Sequence, residues 1–399
     1  MDKAYSNFTE ISKIPLTAIS HLPVTWALEK KEQFFVALKD TLNGLAALYN
    51  SRNEVLTPAE LMFLKQLTTK LTIDAPKVDS YIARPDGFCL DDDTYKLIEM
   101  NYGNSMGGIL ALNYLQELYN QLDATQDCGS LAQSLVNLWQ PFSGNTKKKI
   151  ITHRNCGRYE RYEQQNIVLC EILKKRGLNI SFMDLKELYK EIQSGALSPG
   201  LTVSRQDILD DEESASLILE FEEYASQNGI SAFNPIKQTD IFNSKVLLAL
   251  YSEYSRPAAV VDSFWLGNAS TAAQEKFVRR MALLEQERDT FVIKRDFSYQ
   301  GKHVVFGDES TIGEWKRLLL QAVQDGCWIA QRVQHGHRFQ LKKINEPNHD
   351  YPAIVSPFIF GHEVAGVTLR YRTSELSKTC VLPNNSKTVL GMIGFRHAP

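Results

Sequence analysis

The 399-residue sequence contains no C-x-x-C pair; its six cysteines (Cys89, Cys128, Cys156, Cys170, Cys327, Cys380) are scattered. In a chain this long that pattern argues against a zinc knuckle or a disulfide framework and fits reduced cytosolic thiols. Neither sign of charge predominates. With 44 basic and 47 acidic residues the formal net charge is −3, so no global basic field points to nucleic acid or an anionic membrane. The Lys147-Lys148-Lys149 cluster reads as a solvated edge before a strand. No apolar run approaches the ~18 residues of a membrane span, and Met1-Asp2-Lys3-Ala4 opens no apolar leader segment. The expectation is a cytoplasmic protein without nucleic-acid or membrane partners. No G-x-x-x-x-G-K-[ST] sequence occurs, which argues against a P-loop enzyme. Internal repeats and low-complexity tracts are absent as well.

What is present is an ordinary globular composition, 43% hydrophobic and 23% charged, in a chain long enough for two or three domains. Phe34, Phe35, Leu38, Leu42, Leu45 and Leu48 recur at helical spacing between Trp26 and Asn50. Thr57-Pro58-Ala59-Glu60 announces a second helix through a capping box with proline at its first position. These helices define an N-terminal region, 1–75. Short strands follow at Ser80 to Arg84 and Tyr95 to Asn101, then a helix over Ile109 to Leu122. The polar break Ser143-Gly144-Asn145-Thr146 closes this segment, 76–146.

From 147 to 235 the pattern alternates. A buried strand at Lys149 to His153, a helix at Glu160 to Arg176 and strands at Asn179 to Leu185 and Leu217 to Phe221 predict a small parallel α/β lobe. The last segment, 236–399, is α+β. Helices are expected at Ser244 to Glu253 and Gln274 to Gln286. Strands are expected at Phe291 to Lys294, Val304 to Phe306, Trp328 to Val333, Ile354 to Phe360 and Val364 to Arg372.

Two constellations carry chemistry. In Tyr81-Ile82-Ala83-Arg84-Pro85-Asp86 and Tyr95-Lys96-Leu97-Ile98-Glu99-Met100-Asn101, residues two apart share a strand face. If the strands pair, Asp86, Glu99 and Asn101 converge as oxygen ligands of the kind Mg²⁺ takes. Arg84 beside them is placed to neutralise a phosphoryl group. The alternative is a set of surface hairpin charges. The second constellation is a pair of lysines. Lys294 ends an apolar strand before Phe297-Ser298-Tyr299-Gln300-Gly301, a loop whose N–H groups could cover phosphate. Lys245 stands at a helix start, where the dipole does not favour a lysine.

Arg-x-Asp followed by Glu-x-Asn thirteen positions after the Asp resembles the magnesium motif of glutathionylspermidine synthetase and its circularly permuted ATP-grasp relatives. Lys245 opening a helix, Lys294 ending a strand before a flap, and the strand Trp328-Ile329-Ala330-Gln331-Arg332-Val333 are similar to that family's nucleotide elements, in its order. Val364-Ala365-Gly366-Val367-Thr368-Leu369-Arg370-Tyr371-Arg372 is similar to its later strand pair. The flap is poorer in glycine than the family's, and Arg332 stands where an acidic residue is usual.

The resemblance implies an α+β, circularly permuted ATP-grasp fold with N-terminal helices and an inserted pre-ATP-grasp lobe. It also implies ATP and Mg²⁺ as cofactors, and a reaction in which a carboxylate takes the γ-phosphoryl group and an amine then displaces phosphate. Asp86, Glu99 and Asn101 would hold Mg²⁺; Arg84 and Arg372 would be catalytic. Lys245, Lys294, Ser298, Gly301, Gln331 and Arg370 would bind ATP. The substrates would be a small-molecule or peptide carboxylate and an amine. Loops at the carboxyl ends of parallel strands bind ligands in α/β lobes, so Arg154 and Arg158 are candidates for holding a substrate carboxylate. Cys156 has no His/Asp pattern to make it a nucleophile, and His335-Gly336-His337 reads as loop. The alternatives are a phosphotransferase on the same nucleotide site and a catalytically weak nucleotide-binding protein. The sequence does not fix an oligomeric state.

Overall fold

The computed structural model describes residues 24–27, 30–67, 81–90, 94–104, 108–122, 127–143, 149–154, 160–205, 212–267, 274–298, 303–341, 349–372 and 388–396. The N-terminal third carries strands β1 (Val24–Ala27), β2 (Ile82–Ala83), β3 (Asp86–Cys89) and β4 (Tyr95–Glu99). Next come β5 (Ile150–Arg154), β6 (Ile180–Asp184), β7 (Leu201–Ser204) and β8 (Ser231–Phe233). A third group is β9 (Ser263–Trp265), β10 (Phe291–Arg295), β11 (Val304–Phe306), β12 (Trp328–Arg332), β13 (Arg338–Leu341) and β14 (His349–Pro352). The chain closes with β15 (Ile354–Phe360), β16 (Glu363–Arg372) and β17 (Thr388–Arg396).

These strands form a seven-stranded sheet, order β1-β17-β16-β15-β3-β4 with β2 also on β15, and two four-stranded sheets, β11-β10-β12-β9 and β6-β5-β7-β8. The two-stranded ribbon β13-β14 completes the set. In the large sheet β3 meets β15 through Val355 opposite Gly87. Strands of the 76–146 and 236–399 segments thus share one sheet although about 255 residues separate them in sequence.

The first helix, Lys30–Asn50, starts later than the periodicity predicts. It buries Phe34, Ala37, Leu38, Thr41, Leu42, Leu45 and Leu48, one stripe at three- and four-residue spacing. Trp26 lies instead in β1, whose Val-Thr-Trp run pairs in parallel with β17 and has the β-branched and aromatic content that suits a strand. The expected capping box is formed: Thr57 N–H donates to Glu60 Oε2 at 2.8 Å and Glu60 N–H to Thr57 Oγ1 at 3.4 Å.

The lobe is a parallel sheet, as expected. One of its expected strands is a helix. Leu217 to Phe221 falls inside the helix Glu212–Gln227, where Ile218, Phe221 and Ala225 are buried; spacings of three and four residues mark a helical stripe, which a short apolar window does not reveal. The strands beside β5 are β6 and β7, with β8 outermost.

The β11-β10-β12-β9 sheet packs against the helices Gln274–Gln286 and Ile312–Asp325, with Leu284, Phe291, Ile293, Trp315, Leu319 and Trp328 in the core between them. The second helix has a reciprocal Thr311/Glu314 capping box and ends on Gly326 in the left-handed conformation. The helix Lys245–Ser255 has its first eight residues buried and packs against β9, β12 and the Lys30–Asn50 helix. It therefore carries Lys245 into the junction of the sheets. No helix among the described residues is long and apolar enough to cross a membrane.

Candidate active site

Pro85 separates β2, which falls within the strand expected over Ser80 to Arg84, from β3, because proline cannot donate to a ladder. Pairing nevertheless continues across Arg84, whose N–H donates to the Asn101 carbonyl at 2.6 Å and whose carbonyl accepts from Asn101 N–H at 3.3 Å. Asp86 lies directly opposite Glu99, with a register shift between Asp86 and Gly87. Such an irregularity re-aims side chains. Asp86, Glu99 and Asn101 thereby come to one place.

Asp86 is buried and carries two guanidinium partners. Arg84 Nε lies 3.1 Å from Oδ1 and Arg84 Nη2 donates to Oδ2 at 3.3 Å. Arg370 Nη2, from β16, is 2.5 Å from Oδ2 and also donates to Ser356 Oγ at 3.3 Å. Asn101 Nδ2 donates to the same carboxylate at 3.2 Å. Burial pushes the Asp86 carboxyl up, but Arg370, Arg84 and the Ser356 hydroxyl outweigh it and hold the group at about 2.

Lys245 and Lys294 approach from the other side. Lys245 Nζ forms an ion pair with Glu99 Oε1 at 3.0 Å and donates to the Ser298 carbonyl at 3.4 Å. Its misfit at a helix start is resolved by a residue outside the sequence motifs. Asp296, buried just after β10, accepts from Ser244 Oγ at 2.9 Å and from Lys245 N–H at 2.6 Å, which places a carboxylate at the positive end of the helix. A carboxylate two residues after a strand-end lysine was the available signal.

Lys294 is buried and donates to Gln331 Oε1 at 2.6 Å. Burial, then the neighbouring Lys245, pull its ammonium down against the pull of Glu99 and Asp86, leaving it at about 8. The Gln331 amide also donates to the Ile98 carbonyl at 3.2 Å and to Ser263 Oγ at 3.0 Å. Expected to bind ATP, the Gln331 side chain is bonded to Lys294 and to the strand carrying Glu99. Arg332 points elsewhere, pairing with Glu287 at 3.0 Å and lying over the Phe291 ring.

Arg372 ends β16 opposite Thr388, and its side chain lies outside the described residues. Gly301 and Arg158 lie outside them too, as does Cys156. Arg154 is at the carboxyl end of β5, in the lobe, where its Nη1 donates to the Arg205 carbonyl at 3.1 Å. Arg205 donates to Asn166 Oδ1 at 3.0 Å and to the Asn104 carbonyl. Asn104 Nδ2 in turn donates to the Phe233 carbonyl at 2.6 Å. The segment leaving Asn101 is therefore fastened to the carboxyl ends of β7 and β8. Arg205 and Asn104 were not foreseen, because neither belongs to a local motif.

The donor set suits Mg²⁺. Two carboxylates and one amide are the few protein oxygens that this ion takes while keeping water and substrate phosphate, and half a turn of the Asn101 amide would present its oxygen. Among the described residues no group of three or more Asp, Glu, His or Cys gathers to hold a metal, so a metal here would rest on this mixed set.

No family model matches the sequence, and no curated protein matches it. Among solved structures, the apo form of a glutathione synthetase-like effector from Globodera pallida superposes with a TM-score of 0.52 at 11% identity. That match covers 94% of this chain and 89% of the other. A D-cycloserine synthetase (TM-score 0.33, 13% identity, 63% of this chain and 75% of that one) is a more distant match. So is a gamma-glutamylcysteine synthetase-like protein from Methylobacillus flagellatus (0.37, 13%, 86% and 84%). At these identities the first superposition shows a shared mixed α and β fold, and the other two carry no argument.

Proposed function

We propose that this protein is an ATP- and Mg²⁺-dependent ligase that joins a carboxylate to an amine through an acyl phosphate, on a circularly permuted ATP-grasp fold. The observation that carries the reading is the gathering of three bonded sets, Arg84, Arg370 and Asn101 on Asp86, Lys245 on Glu99, and Lys294 on Gln331, with Asp86 opposite Glu99 in the β3–β4 register. Four cations and two carboxylates leave a surplus of two positive charges, the complement of a nucleoside triphosphate carrying one divalent cation. The permutation is supported by the sheet order, which sets the strands of the Asp/Glu/Asn set beside the last strands of the chain.

In this reading Asp86, Glu99 and Asn101 hold Mg²⁺, which when bound supplies charge neutralisation across the phosphates. Lys245 and Lys294 bind phosphate oxygens. Arg84 and Arg370 stabilise the charge that develops as the phosphoryl group passes to the substrate carboxylate. The buried location excludes water, which would otherwise hydrolyse an acyl phosphate. Arg154 and Arg205, at the carboxyl ends of the lobe's strands, hold a carboxylate of the acid substrate.

The test is ADP release with Mg·ATP and a panel of amino acids and short peptides, with hydroxylamine as a generic amine. Carboxylate-dependent ADP together with hydroxamate is the expected result. ADP without hydroxamate would make the protein a phosphotransferase or an idle ATPase and refute the ligase. Failure of the protein to bind ATP in a direct titration would refute the nucleotide site itself.

A further inference from the structure

We infer that Asp296 is a positioning residue, a single buried carboxylate that locks the backbone bearing Lys245 to the strand end bearing Lys294 and so fixes the spacing of the two lysines. That the two lysines face phosphate rests on the ligase reading; the clamp itself does not.

The bonds run in both directions from Asp296. Its backbone N–H donates to the Cys327 carbonyl at 2.7 Å, which fastens it to the start of β12. Its side chain accepts from Ser244 Oγ, from Lys245 N–H and, at 3.1 Å, from Phe297 N–H. Ser244 Oγ accepts in turn from Leu247 N–H at 3.1 Å, so the carboxylate organises the whole first turn of the Lys245–Ser255 helix. Phe297 adopts a left-handed φ of 48°, an unfavourable conformation for a residue with a Cβ. The Phe297 N–H bond to Asp296 helps hold it there, and the turn it makes leads to the Ser298 carbonyl that Lys245 Nζ reaches.

An ordinary helix cap does not explain this arrangement. The helix Leu185–Gln193 is capped by Asp184, and the helix Ile312–Asp325 by Thr311 and Glu314; each uses its own neighbours. At the Lys245–Ser255 helix the adjacent Ser244 already caps Leu247. The additional carboxylate comes from 51 positions away, two residues beyond Lys294.

The experiment compares Asp296→Asn with Thr311→Ala, which removes a cap of similar kind from a helix whose bonds do not involve the lysines. Trace acetylation with acetic anhydride, read by mass spectrometry, reports the reactivity of Lys245 and Lys294 without any nucleotide. Lys245 should be labelled about tenfold faster in Asp296→Asn, the scale expected for loss of a charge-assisted hydrogen bond, and at the wild-type rate in Thr311→Ala. Equal labelling of Lys245 in wild type and Asp296→Asn overturns the clamp, as does an equal rise in both variants. If Asp296→Asn does not fold, Ser244→Ala removes one of the side-chain bonds and should raise Lys245 labelling several-fold; no change there overturns the proposal. An ATP titration of the same proteins separates the two ideas. Wild type that binds no ATP sinks the ligase reading while the labelling still decides the clamp. Wild type that binds ATP should do so about tenfold more tightly than Asp296→Asn.

Discussion

Replacing Asp86 by Asn isolates one electrostatic contribution whose size follows from its surroundings. The carboxyl is held at about 2 in the folded protein, against an ordinary 3.8. The difference is a little under two pH units, and at ~1.36 kcal/mol per unit it contributes roughly 2 kcal/mol to stability at neutral pH without metal or nucleotide. Because the folded value is depressed, the contribution is complete well above 3.8 and is lost as pH falls through 3.8 toward 2. By pH 3 roughly 1 kcal/mol, about half, should be gone. The assay is urea unfolding of wild type and Asp86→Asn, followed by tryptophan fluorescence at pH 6 and pH 3. Wild type should be the more stable at pH 6 by roughly 2 kcal/mol, since Asn leaves two partly buried guanidinium groups without their shared anion. The gap should shrink by about 1 kcal/mol at pH 3. Acid dependences that run parallel in the two proteins would refute the assignment of Asp86 as an ionised, arginine-held carboxylate.

Two further outcomes test the site from other sides. Glu99→Gln keeps the side chain's shape but removes a carboxylate from the proposed metal set; turnover should fall by at least about 100-fold while the protein stays folded, and wild-type turnover would sink the magnesium assignment. Gln331→Met removes the acceptor that holds the Lys294 ammonium, so the charged form should be lost at a lower pH than about 8. Mg·ATP affinity, measured from pH 6.5 to 9.5, should be full below the Lys294 titration and fall above it. That fall should begin earlier in the variant, and identical profiles would remove Gln331 from the role.

The Lys245–Ser255 helix and most strand positions were legible because their signals are local: a cap, an apolar alternation, a glycine or a proline. The Asp86/Glu99 pairing was legible for a related reason, since two short strands joined by a short loop, Cys89 to Tyr95, can pair as a hairpin. Interactions between distant segments were not. The contact between Arg370, expected at the nucleotide, and Asp86, 284 positions earlier, had no signal in the sequence. Gln331 was placed by motif position, whereas its actual bonds depend on β12 packing beside both β10 and Ile98. The helix at Glu212–Gln227 was missed because a five-residue apolar window fits either period.

The pattern of charges in the cluster explains why acids and bases alternate there. A site built to receive a polyanion must bury several cations, and an unpaired buried charge is costly while the ligand is absent. Arg84 and Arg370 share Asp86, and Lys245 is paired with Glu99. Lys294 is bonded to a neutral amide, and it is the cation whose ammonium burial drives down to about 8. The carboxylates proposed to hold the metal thus also make the empty site tolerable. Removing either one should be felt before any nucleotide arrives, as well as during turnover.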